Sequence, residues 1–242
     1  MSMYVNTDMK ICFHGYDLSG DIRSFSMDLK REEKETPACG YQGKRRLAGM
    51  QSMEVSGNGY QEFGTGNVDD TMFSNLGVDE RVLSVARTAD DGAIGYFSKA
   101  VSLNYKIGSP ISDVAPFDFA AFSQGVKTVR GTVMATGAKI TNGSGTAREL
   151  GAVSADQYLY AALHVLAASG GGPPQIDVKI QSDSVEEFTS PADRITFTSA
   201  TDETAQWATP VAGAITDTWW RVIWTRSGSS PNFTIQALVG IL

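Results

Sequence analysis

Apolar residues in this chain recur mainly at every second position, in short runs separated by Gly, Pro, Asn and Ser. This is the pattern of half-buried β-strands joined by turns. In the first half it predicts strands over 22–29, 51–63, 81–87 and 95–105. In the last of these, Phe97, Val101, Leu103 and Tyr105 fall on one face of a period-two strand. One segment breaks the rhythm. NVDDTMFSNLG, residues 67–77, spaces Met72, Phe73 and Leu76 as a helix does, with Asp69 or Asp70 as N-cap and Gly77 as a stop. The second half predicts strands over 126–136, 157–168, 175–181, 194–199, 219–226 and 233–242. Between them, TNGSG, SGGGPP and SGSSP have the composition of turns that end strand pairing. The expected class is mainly β: antiparallel sandwich of jelly-roll or immunoglobulin type, with one short helix and a seam near Ser123, Gln124 and Gly125.

A chain of 242 residues, 42% hydrophobic and 19% charged, suits one large all-β domain or two smaller ones. The first residues lack a basic stretch followed by an apolar run. No segment approaches the roughly 20 apolar residues of a membrane helix, so no membrane partner is expected. Cys12 and Cys39 belong to no CxxC or zinc-like grouping, which suits a reducing compartment and no disulfide framework. Net charge is −7, and acids outnumber bases in both halves, 17 to 12 through Ala120 and 10 to 8 afterwards. Tight binding of nucleic acid across a basic surface is disfavoured.

Catalytic patterns are missing from the sequence. The two histidines, His14 and His164, stand 150 positions apart. With Asp17 and many serines they leave a hydrolase triad open by inventory, but no G-x-S-x-G elbow is present. Gly143-Ser144-Gly145 and Gly43-Lys44 lack the rest of a phosphate loop, and the acid pairs Asp69-Asp70, Asp90-Asp91 and Glu186-Glu187 follow no calcium-loop pattern. The expectation is a non-enzyme without cofactor or metal. In WWRVIWTR, Trp219 faces one way and Trp220 and Trp224 the other. Two readings apply: a sugar-stacking platform with Trp219 or Trp220 at the surface, or a strand buried on one side with an interface on the other.

The stretch LKREEKETPACGYQGKRR carries nine charges between two predicted strands. Pro37, Gly40 and Gly43 rule out a long helix. An exposed arm over 30–46 is expected, with Lys30, Arg31, Glu32, Glu33, Lys34, Glu35, Lys44, Arg45 and Arg46 as candidate contacts to a neighbour.

The run from DLSGDIRSFSMDLKREEKETPACGYQGKRRLAGMQSMEVSGNGYQEFG through VDDTMFSNLG resembles the start of siphophage major tail proteins, the subunits of the tail tube. GYFSKAVSLNYKIGSPISDVAPFDF, VRGTVMATG and the segment from LYAALHVLAASG to WWRVIWT are similar to phage tail proteins as well, so the resemblance covers most of the chain. It implies a tail-tube-like antiparallel β-sandwich with one short helix over 1–125, with the arm 30–46 reaching the adjacent ring. A second β-sandwich or jelly-roll-like region over 126–242, outside the tube, is the expected remainder. It further implies a virion structural protein, assembled in the host cytoplasm with itself and other tail proteins into stacked hexameric rings, or rings of three with duplicated lobes. DNA would pass through without specific binding during ejection. The alternative is a glycan-binding or other surface-binding sandwich of a virion.

Overall fold

The computed structural model describes residues 8–36, 43, 45–108 and 114–242. In chain order the strands are β1 (Lys10–Phe13), β2 (Tyr16–Asp17), β3 (Ile22–Glu35), β4 (Arg46–Tyr60), β5 (Arg81–Ala86), β6 (Ile94–Ile107), β7 (Pro116–Ser123) and β8 (Val129–Lys139). There follow β9 (Gly143–Ser144), β10 (Arg148–Glu149), β11 (Tyr158–Asp183), β12 (Ala192–Thr196), β13 (Thr204–Trp207), β14 (Val211–Ala212) and β15 (Trp219–Ile241). Among the described residues there is one α-helix, α1 (Val68–Ser74), between β4 and β5. The protein is thus mainly β, with antiparallel ladders and one short helix as expected. Asn67, and not Asp69 or Asp70, occupies the N-cap position; the two aspartates fill the first turn, where the helix dipole favours negative charge.

The chain gathers into two compact units, one of Met1–Gly20, Arg81–Phe97 and Val129–Leu242, the other of Asp21–Glu80 and Ser98–Thr128. Gln124 and Gly125, at the expected seam, lie in the turn after β7, inside the second unit.

The first unit is built on two very long partners, β11 with 26 residues and β15 with 23, paired almost end to end. The expected turns SGGGPP and SGSSP do not end these strands. They face each other across the ladder, Ser169 opposite Asn232 and Gly171 opposite Ser229, where the register shifts. Gly170, Gly172, Gly228 and Ser230 have positive φ there, and a Cβ on Gly170 would lie 2.9 Å from Pro231 Cα. Glycine therefore permits a close corner in a continuous ribbon. Residues from both sides of that corner, including Leu163, Ile176, Val178, Trp220 and Phe233, share one buried cluster. A second cluster joins Val82, Phe97, Val133, Ala162 and Leu238.

The second unit is a four-stranded antiparallel sheet in the order β3, β4, β7, β6, with strand directions alternating. One face carries Met27, Met53, Val55, Phe117, Phe119 and Ala121, the last five buried. Helix α1 covers this face with Val68 and Met72, both fully buried. Its position is fixed by the Tyr105 hydroxyl, which donates to Asp69 Oδ1 at 2.8 Å, and by Gln61 Nε2, which donates to the same oxygen at 2.7 Å. Burial pushes the Tyr105 phenol up to about 12, so it stays a donor. Strand β6 departs from the expected single face. Its register slips between Ser102 and Asn104, leaving Leu103 as an extra, exposed residue. Tyr105 consequently joins the face of Ala100 and Ser102, while Val101 lies on the other.

Candidate assembly surface

Three features of the second unit bear on function: an open edge, a projecting ribbon and a polar face. The first is β3 itself. Among the described residues its only strand partner is β4, so one side of a 14-residue strand presents unpaired backbone groups. At the opposite end of the sheet, β6 pairs with β7 through Ile107. Earlier in its length β6 also pairs with β5 and β8, and Leu76 bridges Ser102. Among the described residues only 104–107 of β6 are left without a second strand partner.

The ribbon is the continuation of β3 and β4 past their support. Strand β7 accompanies β4 only as far as Glu54, and a bond from Met53 N–H to Ser123 Oγ at 2.9 Å closes that ladder. Pairing of β3 with β4 runs on to Glu35 opposite Arg46. The candidate residues Lys30, Arg31, Glu32, Glu33, Lys34 and Glu35 therefore sit in a strand, not in an irregular loop, and all are exposed. The alternation that marks strands is hidden here because neither face is buried. Arg46 begins the returning strand, the Arg45 carbonyl just before it accepts from Thr36 N–H at 2.9 Å, and Lys44 with Pro37 to Gln42 lies outside the described residues. Local ion pairs tie the ribbon together: Arg46 Nε to Glu33 at 2.5 Å, Lys30 to Asp28 at 2.6 Å and Lys34 to Glu32 at 3.6 Å. Such exposed pairs contribute about 0–1 kcal/mol each. Apolar Leu29, Leu47 and Met50 are exposed along the same ribbon.

The polar face is the side of the sheet away from α1. Register places Ser24, Ser26, Asp28 and Lys30 of β3 beside Asn58, Ser56, Glu54 and Ser52 of β4. Asp118 of β7 and Asn104 and Lys106 of β6 continue it. Lys30 is paired with Asp28 and Lys106 lies 3.9 Å from Asp118, so Glu54 leaves the face weakly acidic.

The remaining sequence candidates lie in the first unit. Trp220 is fully buried and its Nε1 donates to Gly151 O at 2.9 Å, which removes it as a surface aromatic. Trp219 is half-buried opposite Asp183. Trp224 is half-buried, donates to Thr141 O at 2.8 Å, and has Lys139 Nζ 4.5 Å above its ring. His164 is fully buried, its Nδ1 accepting from Gly15 N–H at 3.4 Å. His14 Nε2 accepts from Arg81 at 2.7 Å. Burial first, then Arg81, holds His14 down to about 4; burial first, then His14, holds His164 down to about 3. Neither is joined to a nucleophilic serine by any described hydrogen bond. Among the described residues no three His, Cys, Asp or Glu side chains gather into a metal site. Cys12 is a buried free thiol whose pKa burial raises.

No protein-family model matches the chain, and no curated protein does. Solved structures do. A chain of the virion of a native gene transfer agent particle shares 16% identity over 52% of this chain and 98% of its own, with a TM-score of 0.39. A chain of the sheath-tube complex of the extracellular contractile injection system PVC shares 11% over 53% and 92%, at 0.41. The SPP1 Dit protein, described as a paradigm of hub adsorption apparatus in phages infecting Gram-positive hosts, shares 7% over 97% and 99%, at 0.36.

Proposed function

We propose that this chain is a structural subunit of a phage-type tail tube, joined edge to edge into rings that stack through the β3–β4 ribbon. The observation that carries this is the second unit's sheet, four strands of alternating direction, open among the described residues along β3 and, at its other end, along 104–107 of β6. Copies related by rotation keep their strand directions. β3 of one copy then meets β6 of the next in antiparallel orientation, and the pairing repeats until the ring closes. An open edge of 14 residues is a liability for a monomer and an asset for such a ring. The resemblance of the sequence to siphophage major tail proteins agrees with it. A hexamer is the expected ring.

The tube wall falls to the second unit, with its helix-covered face outward and its Ser, Asn and acidic face toward the passage. A weakly acidic, hydroxyl-rich lining repels phosphate and releases no counterions by tight binding, so DNA slides through it. The ribbon, exposed on both faces, is a two-stranded hairpin of the kind that needs packing to be stable, and an adjacent ring supplies it. Deleting 32–44 leaves the subunit folded and abolishes tubes. Negative-stain microscopy of the concentrated deletion variant tests this, and normal tubes would refute it.

A further inference from the structure

Helix α1 is amphipathic in an unusual sense: its outer side is not wholly polar. Phe73, 72% exposed, stands out from it one turn before Leu76, and Leu76 bridges Ser102 beside the bulged Leu103, which is 60% exposed. Exposed aromatic and aliphatic side chains thus adjoin each other along the helix end and the β6 edge. The surrounding segment 61–80 contains five acids and no base. The β3–β4 ribbon has the complementary character. Between Asp28 and Glu35 and at Arg45 and Arg46 it has five bases against four acids, and Met50, 79% exposed, projects from it with Leu47.

The two cannot meet within one copy. Leu76 bridges Ser102, which pairs with Ala121, which pairs in turn with Val55. Met50 lies five residues farther along β4, about 17 Å at strand rise and two strands across from β6, and the ribbon is held extended by its own ladder. We infer that the Phe73, Leu76 and Leu103 surface is the docking site for the β3–β4 ribbon of another copy of this chain, with Met50 seated against Phe73. This rests on the tube assignment above and names the surface that receives the ribbon. Burial of the apolar side chains supplies affinity, while the acidic segment selects the more basic ribbon and fixes its direction.

The test uses the full chain. Met50 is replaced by the photo-crosslinking residue p-benzoylphenylalanine, assembled tubes are irradiated, and the crosslinked peptides are identified by mass spectrometry. Crosslinks between copies to 63–76 or to Leu103 are expected. Separately, Phe73→Ser should raise the concentration needed for assembly about tenfold, with an unchanged circular dichroism spectrum. Tubes that form with crosslinks elsewhere, or at the wild-type concentration with Phe73→Ser, overturn the docking site and leave the tube assignment standing. Wild-type protein that stays monomeric throughout overturns the tube assignment, and the docking site with it.

Discussion

Acid should weaken the first unit well before its carboxylates titrate. His164 is fully buried and held down to about 3, and half-buried His14 to about 4, both from an ordinary 6.5. Both folded values are depressed, so the unfolded chain takes up protons first. Stability is complete above about pH 6.5 and is lost as pH falls toward 3–4. Between pH 7 and pH 5 the loss depends almost only on the unfolded value, because both folded values lie below 5. It comes to about 2 kcal/mol for His164. His14 is partly solvated, and screening reduces its share to about 1 kcal/mol. The sum of about 3 kcal/mol is a large part of an ordinary domain's stability. Asp217, held low by Ser182 and Arg194, and Asp193, held low by Lys179 and Gln181, lose their contributions only at lower pH. The assay is urea unfolding followed by tryptophan fluorescence at pH 7, 6 and 5. All four tryptophans, Trp207, Trp219, Trp220 and Trp224, lie in the first unit, so the signal reports that unit alone. His164→Gln should lose about two-thirds of the pH dependence. A wild-type unfolding free energy that is flat from pH 7 to 5, or a His164→Gln variant with the full wild-type slope, refutes the reasoning.

Other substitutions probe single contacts. Trp220→Phe removes the indole donor and leaves Gly151 O without it, costing about 1–3 kcal/mol in urea unfolding. Tyr105→Phe removes the hydroxyl that holds Asp69, and faster amide exchange across α1 with the β4 and β7 amides unchanged is the expected result. Glu54→Lys places a base on the polar face, leaves assembly intact and slows DNA release from particles; unaltered release would place that face away from the passage.

Much of the architecture was legible as period-two alternation, and the helix as the single departure from it. What escaped has physical causes. SGGGPP and SGSSP read as turns, since glycine and proline end most strands; that two such segments lie opposite each other and form one corner is a property of pairing, invisible in either alone. The single face expected for Phe97, Val101, Leu103 and Tyr105 was broken by one extra residue at Leu103, and a one-residue slip reverses every side chain beyond it. In the ribbon, Lys30 to Glu35 gave no strand signal because periodicity records burial, and they are exposed among the described residues. Strand β7 went unnoticed although Phe117, Phe119 and Ala121 alternate cleanly. Helical spacing grouped Phe73 with Met72, and strand alternation grouped Leu103 with Phe97, yet Met72 and Phe97 are buried while Phe73 and Leu103 are exposed.

The central claim is tested most directly by cryo-electron microscopy of the assembled protein. The account predicts stacked rings in which β3 of each copy pairs antiparallel with β6 of the next, with Ser24, Ser26, Glu54 and Asn58 facing the lumen. Copies that remain single with the β3 edge uncovered, or rings whose lumen is lined by α1, would contradict it.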